Sequence, residues 1–461
     1  MSILDKYLEM ENSDKLYNYM FSYKNTLMYP FVRFKLLRAA TIFELKISHS
    51  YDSLSSNTIQ NFVYKLKSFW YFFHAKKQSD IVFFGSDISN IRLGNVYYNR
   101  LTENFANEYP EKTILLESSE KKNYKRPRTY SKVFSRDFLT ISAKKSSSAS
   151  IDQKDLEQIN FFLQFLKEYY SSIEDEAFWE KIKKALIRHA IMLPFLYNEY
   201  QKFFKKVSPK IIFLDCACYG GSNIPLIMAA KDLGISVAEY QHGHVSLAHP
   251  AYNYSSQLPT LYKYYLPEFF MSYGKYWIEN SRIPIMIYEI GNPYLSDTVL
   301  QRTNITKKRQ ILYISFAPDP EHCVKEIIYL NKLLSGKEYT IVFRIHPKET
   351  LRLHTVYKPI IDAGISIDTQ PLYETLNHTM YVIGNFSTVL FEAVMFDCIV
   401  FVRDNLCNRE NMAMSKFNVF CSIENLVDDI LSKNYKTTEK NDLWANDWRE
   451  KYRQLINSLI G

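Results

Sequence analysis

Residues 210–240 read KIIFLDCACYGGSNIPLIMAAKDLGISVAEY. The stretch opens with an apolar run, Lys210 to Asp215, turns helical from about Ser222 to Leu233, and closes on a second apolar run, Ile235 to Tyr240. A short apolar run bounded by turn residues is the form of a strand buried on both faces, and two such runs joined by a helix make a parallel crossover unit. The pattern extends to both sides. Asp80 to Gly85 and Lys112 to Glu117 repeat the strand form before it, and Phe269 to Gly274 and Ile287 to Pro293 repeat it after. A long helical stretch from Ile151 to about Val207 intervenes, with Ile159, Phe162, Leu163, Phe165, Leu166 and Tyr169 at helical spacing.

After the polar stretch 296–309 the alternation restarts with Gln310 to Ser315, a helix to Leu334 and Tyr339 to Arg344, then Tyr381 to Gly384 and Ile399 to Val402. Strands alternating with helices predict a parallel sheet covered on both faces. Two such runs in 461 residues predict an α/β fold of two Rossmann-like domains facing a cleft. The chain divides into N-terminal helices packed on the first domain (1–75), the two domains themselves (76–290 and 291–440) and a closing helix (441–461). In that last segment Trp444, Trp448, Tyr452, Leu455 and Leu459 recur at near-helical spacing. The Ser/Lys stretch Lys144 to Ser150 has the composition of a mobile loop.

Composition removes several function classes. Glycine is scarce, 12 in 461, and no two glycines are separated by a single residue, which excludes a G-x-G-x-x-G dinucleotide loop; no Gly-Lys-Ser/Thr exists for a P-loop, and no H-E-x-x-H for a zinc protease. No Asp-x-Asp is present to hold a nucleotide diphosphate through a divalent cation. The net charge, 57 minus 49, is +8, which favours anionic partners. The clusters Lys121, Lys122, Lys125, Arg126, Arg128 and Lys307, Lys308, Arg309 read as solvated loops beside strands, not as a nucleic-acid site. Six cysteines without a C-x-x-C pair fit free thiols in a reducing cytosol, with Cys216 and Cys218 alternating on a strand face. Met1 to Asp14 is polar and acidic, without the apolar core of a secretory signal, so a cytoplasmic protein is expected. The aromatic, basic stretches Tyr29 to Leu37 and Phe62 to Phe73 admit two readings, the core side of packed helices or a face lying on anionic lipid at the inner surface of the plasma membrane.

Chemistry concentrates at the predicted strand ends, where ligands bind in open α/β sheets. Phe343 to Glu349 ends a strand with Arg344, His346, Pro347 and Lys348, a cationic edge suited to a nucleotide phosphate. Gly384 to Ala393 is a strand end followed by a Ser387-Thr388 helix start, an anion site in form, with Glu392 farther along the helix. Tyr240-Gln241-His242-Gly243-His244 follows a strand of the first domain. There His242, ahead of His244, is the candidate general base on an acceptor hydroxyl, with Asp87 the acidic alternative. A purely structural histidine cluster is the competing reading; a metal site is disfavoured because no carboxylate or cysteine accompanies it.

The His-Gly after a strand in the first half, the Arg-x-His-Pro strand and the Ser-Thr helix start in the second together resemble the GT-B glycosyltransferases of bacterial surface polysaccharide (capsule and lipopolysaccharide) synthesis. The similarity is to sialyl and Kdo transferases with a His-Pro motif and to teichoic-acid polymerases that use CDP-glycerol, over about residues 80 to 440. It implies that His346 contacts the donor phosphate, that Ser387 and Thr388 bind phosphate oxygens and that Glu392 reaches the ribose. Ile290-Gly291-Asn292-Pro293 resembles the Gly-Asn-Pro that opens the second domain of several such enzymes and of UDP-sugar 2-epimerases, which sets Asn292 among the donor-side residues. The sialyltransferases carry an acidic pair before the glycine where this chain has Gln241-His242-Gly243, whereas the teichoic-acid polymerases carry His-Gly. The implied activity is metal-independent transfer of a sugar, with CMP-sugars among the candidate donors, to a glycan or lipid-linked glycan. The first domain holds the acceptor and the second the donor, with no cofactor and no nucleic acid. The alternatives are a CDP-polyol phosphotransferase, a sugar 2-epimerase, and a non-catalytic scaffold of a glycan-assembly complex.

Overall fold

The carboxyl ends of two parallel sheets meet across a cleft. A computed structural model describes residues 3–45, 58–73, 78–146, 150–302 and 305–460, the side chains at 58–60, 146 and 348 apart. Seven strands make the first sheet, in the spatial order Met286–Glu289, Phe269–Ser272, Ser236–Tyr240, Ile211–Leu214, Ile81–Ser86, Thr113–Ser118, Val133–Ser135, every pair parallel. Six parallel strands make the second: Ser366–Ile367, Thr340–Arg344, Lys308–Ile314, Thr379–Gly384, Ile399–Arg403, Asn418–Phe420. Counted along the chain within each sheet, both run 3-2-1-4-5-6, the doubly wound order, with a seventh strand on the first. The crevice in such a sheet opens where the order reverses. That places it between Ser86 and Asp215 in the first domain and between Ser315 and Asn385 in the second.

Sequence and structure part company at several elements. The helical stretch 151–207 is two helices, Gln153–Tyr169 and Glu176–Val207, each begun by an aspartate cap, Asp152 and Asp175. Cys216 and Cys218 do not share a strand face: the strand ends at Leu214, and Cys216 sits in the left-handed region (φ 54) as the chain turns into a short 3-10 helix. All six cysteines are free thiols. The antiparallel hairpin Asn90–Leu93/Val96–Asn99 and the edge strands Val133–Ser135, Ser366–Ile367 and Asn418–Phe420 are further elements. Of the Ser/Lys stretch, residues 144–146 end the helix Asp137–Ser146 and 147–149 lie outside the described residues, as do 303 and 304 of the polar stretch 296–309.

The Tyr29 to Leu37 stripe is core. It lies in the helix Tyr29–Glu44, where Tyr29, Phe31, Val32, Leu36 and Leu37 are buried. Arg33 within it is buried too, paired with Glu11 and donating to the carbonyls of Pro250 and Asn253, each at 2.6 Å. The cationic clusters are absorbed only in part, with Lys121, Lys122, Lys308 and Arg309 exposed. Arg128 is clamped between Glu103 and Glu117, Lys125 donates to the carbonyl of Asp87, and Lys307 caps the carbonyls of Leu376 and Thr379.

Two crossings join the domains side by side. One runs through Gly291 and the helix Pro293–Leu300; the other returns through residues 442–447 to the helix Trp448–Ile460, which buries Trp448, Tyr452, Leu455 and Ile456 against Phe83, Phe105 and Phe213 of the first domain. Trp444 precedes that helix and donates its indole N–H to the carbonyl of Phe391. The crossings touch at Gly291 (φ +107), where an added Cβ would stand 2.8 Å from the carbonyl oxygen of Ala445. Only glycine combines that dihedral with that approach.

Candidate active site in the interdomain cleft

His242 follows the Ser236–Tyr240 strand, and its turn is braced from within: Gln241 accepts the N–H of Tyr273 at 2.8 Å and donates to the carbonyl of Gly243 at 2.9 Å. The imidazole then faces the cleft. Cys216 Sγ stands 3.4 Å from its Nε2. Burial pushes the His242 pKa down to about 4, so the ring is neutral at physiological pH, a weaker base than one titrating near 6.5. Beneath the turn lies Glu239, fully buried, whose carboxylate accepts the N–H of Cys218 (2.6 Å) and the hydroxyl of Tyr252 (2.8 Å). Burial raises its pKa to about 7.

From the other side, the strand Thr379–Gly384 leads into the helix Thr388–Met395. Asn385 and Asn408 hold the connecting loop, Asn408 accepting the N–H of Phe386 and donating to Asn385. Ser387 caps the helix by accepting the N–H of Val389. One lone pair of its hydroxyl serves the helix and its O–H is left to donate; of the Ser-Thr pair it is Thr388 that lines the cavity. One turn on, Glu392 is 5% exposed, and its Oε2 has no hydrogen-bond partner among the described residues.

His242, Thr388, Glu392 and Asn292 line one cavity of about 20 Å³ between the domains, and Arg100, from beyond the hairpin, lines it with them. Asn292 also caps the crossing helix, accepting the N–H of Leu295. Burial opposes the charge of Arg100, but Glu392 and the tyrosines 373, 273 and 294 more than offset this and hold its pKa above the usual value. Among the described residues the Arg100 side chain has no ion-pair or hydrogen-bond partner. A buried carboxylate oxygen and a guanidinium, each without a bonded partner in one cavity, are the polar pattern of a ligand site.

No protein-family model matches the chain, and no curated protein matches it. Among solved structures, UDP-GlcNAc 2-epimerase from Methanocaldococcus jannaschii superposes with a TM-score of 0.48 at 11% identity, covering 82% of this chain and 99% of that one. The UDP-GlcNAc 2-epimerase from Neisseria meningitidis gives 0.45 at 12%, over 82% and 99%. The α,α-trehalose 6-phosphate synthase from Burkholderia multivorans gives 0.40 at 8%, over 83% and 95%.

Other candidates fall outside the cavity. His244 donates from Nε2 to the carbonyl of Asn411 at 2.8 Å and packs on Trp277, Phe386 and Phe391, so it fastens one domain to the other. Asp87 is two strands away, where its buried carboxylate accepts Ser119 Oγ and the N–H of Glu120. It caps a loop of the first domain, away from the cavity that His242 lines. Arg344 is paired with Asp368 and donates to the carbonyl of Gln370, so its charge is met within its own domain. His346 and Pro347 are exposed at the sheet edge. The N–H of His346 donates to Ser315 Oγ, which donates in turn to Glu349, so the turn is held rigid at the rim of the crevice. The side chain of Lys348 lies outside the described residues.

Neither Arg100 nor Glu239 stands in one of the strand-end motifs. A signal for Arg100 was present: Leu93-Gly94-Asn95-Val96 is a two-residue hairpin turn between alternating strands, and Arg100 follows the second strand. Glu239 had none, because an acidic residue in an apolar run reads as a solvent-facing position.

Proposed function

We propose that the chain is a nucleotide-sugar-dependent glycosyltransferase that moves a sugar, without a metal, to a hydroxyl of a bacterial surface glycan or its lipid-linked precursor. The observation that carries this reading is the meeting of His242 with Thr388, Glu392 and Arg100 on one cavity at the edges of both sheets. The donor occupies the crevice of the second domain, its phosphate oxygens taken by Arg100 and Thr388 and a sugar or ribose hydroxyl by Glu392, with His346 at the rim. His242 takes the proton of the acceptor hydroxyl as that oxygen bonds to the anomeric carbon; the nucleotide leaves with the electrons of the broken C–O bond. A phosphate bound nearby favours the imidazolium and strengthens the base when it is needed. A cavity of about 20 Å³ holds water and not a nucleotide, so entry requires the domains to part at the paired crossings.

A CDP-polyol phosphotransferase is the second reading, favoured by His242 standing in the cleft directly before Gly243, as the resemblance to His-Gly enzymes implies. Thermal unfolding with CMP, CDP, UDP, GDP, CMP-sugars and CDP-glycerol side by side, with and without EDTA, tests both. At least one nucleotide should stabilise the protein, by about 2.7 kcal/mol at 100 times its dissociation constant, and EDTA should leave the gain intact. A preference for CDP-glycerol over CMP-sugars selects the second reading. Stabilisation by none of them overturns both and leaves the scaffold.

A further inference from the structure

The helix Thr58–Phe73 carries two apolar faces where a helix packed on a domain needs one. One face is docked: Ser68 hydrogen-bonds to Ser135, Phe72 stacks on Phe138, and Tyr64 stacks on Tyr124. The other is exposed, with Trp70 and Phe73 also making contacts of their own. Phe62 is 64% exposed, Leu66 56%, Phe69 49%, Trp70 64% and Phe73 52%, with Val63 beside them. At about 100° per residue these six positions span an arc of about 120°, and Lys65 and Lys67, both exposed, flank it by about 40° on either side. The helix contains no acidic residue. Its surroundings are cationic as well: Lys122 donates to Asn61 of the helix, and Lys144 has its pKa held down by burial and by the charges of Arg188, Lys122 and Lys65. The one acid of the adjoining helix Asp137–Ser146, Asp137, is turned inward onto the N–H of Ser119 and the hydroxyl of Tyr124, while Glu120, exposed in the loop that carries Lys122, is an acid among these cations.

The geometry points to an interfacial membrane-docking surface: the exposed face of the Thr58–Phe73 helix lies on an anionic lipid bilayer, its aromatic rings at the acyl boundary and the flanking lysines among the headgroups. Bulky rings and lysines at the rim are the composition such an interface favours. A second copy of the chain is a poorer occupant, because the lysine rims would face each other. The helix has 16 residues, about 24 Å, and among the described residues no helix is long and apolar enough to cross a membrane, so this one lies along the surface. The inference is independent of the nucleotide reading, and its test uses no nucleotide.

The chain has five tryptophans, and Trp179, Trp277, Trp444 and Trp448 are at most 3% exposed, so a change in emission on adding lipid reports on Trp70. Vesicles of phosphatidylcholine with phosphatidylglycerol should shift that emission to the blue and carry the protein upward in flotation at low salt, and raised salt should release it. Phosphatidylcholine vesicles alone should do neither. Trp70→Phe should abolish the optical signal while keeping flotation. Lys65→Glu with Lys67→Glu, exposed changes that leave the docked face alone, should lower the vesicle-bound to free ratio by about tenfold or more. Failure of the folded wild-type protein to float with anionic vesicles, or equal flotation with neutral ones, overturns the inference. So does light scattering that shows a dimer which Leu66→Ser and Phe69→Ser dissolve.

Discussion

Replacing Arg100 with alanine separates a ligand-binding role from a structural one. The guanidinium lines the cleft cavity beside Glu392 without a hydrogen bond or ion pair to any described residue, so its hydrogen-bonding capacity is available to an incoming anion. A hydrogen bond to a charged group is worth about 1.5–3 kcal/mol, and about 1.4 kcal/mol is a factor of ten in affinity. Arg100→Ala should therefore weaken the best nucleotide by about 10- to 150-fold, and Arg100→Lys by less, since a point charge replaces a fork of donors. Titration calorimetry on the folded variants, with the apo melting temperature recorded alongside, provides the measurement. Were Arg100 present only to balance Glu392, its removal would strand a buried carboxylate. The melting temperature would then fall, Glu392→Gln would restore it, and nucleotide affinity would hold. Affinity within about twofold of wild type in a folded Arg100→Ala protein refutes the assignment.

His242→Ala should reduce turnover by about 10²- to 10⁴-fold with little change in nucleotide affinity. Because burial sets the apo pKa of His242 to about 4, NMR titration of this ring in the nucleotide-free protein should give a midpoint near 4, and a midpoint near 6.5 would contradict its burial. Glu239 titrates near 7 when folded and near 4.5 when unfolded. Its protonated form therefore favours the native state fully below about pH 4.5, and that contribution, roughly 3 kcal/mol, is lost as pH rises through 7. Glu239→Gln should flatten this part of the stability profile and be more stable than wild type at pH 8 by urea unfolding; a parallel profile would show that Glu239 is ionised in the fold. Gly291→Ala should cost about 2 kcal/mol or more, from the left-handed dihedral and the contact with the Ala445 carbonyl, whereas a loss under about 0.5 kcal/mol would mean that the two crossings move apart freely.

What the chain declares along its own length is local. The strands from Ile81 to Arg403 are apolar runs between turn residues, and the alternation with helices leaves little choice but parallel sheets whose carboxyl ends carry the polar residues; the positions of His242, Thr388 and Glu392 follow from that. What only the tertiary structure decided is which polar groups are already satisfied. Arg344 stands in the same strand-end motif as His346, yet Asp368, arriving from another strand end, takes its charge. His244 differs from His242 by two positions, and the carbonyl of Asn411, 167 residues away, makes it a fastener between domains. The Tyr29 and Phe62 stripes look alike in sequence, but the first is enclosed by the fold and the second is open on one side. A hydrogen bond or ion pair depends on distance in space, and residues hundreds of positions apart become neighbours only when the sheets and crossings are in place. Hydrophobic periodicity therefore specifies the framework, while the partner each polar side chain meets is settled by packing.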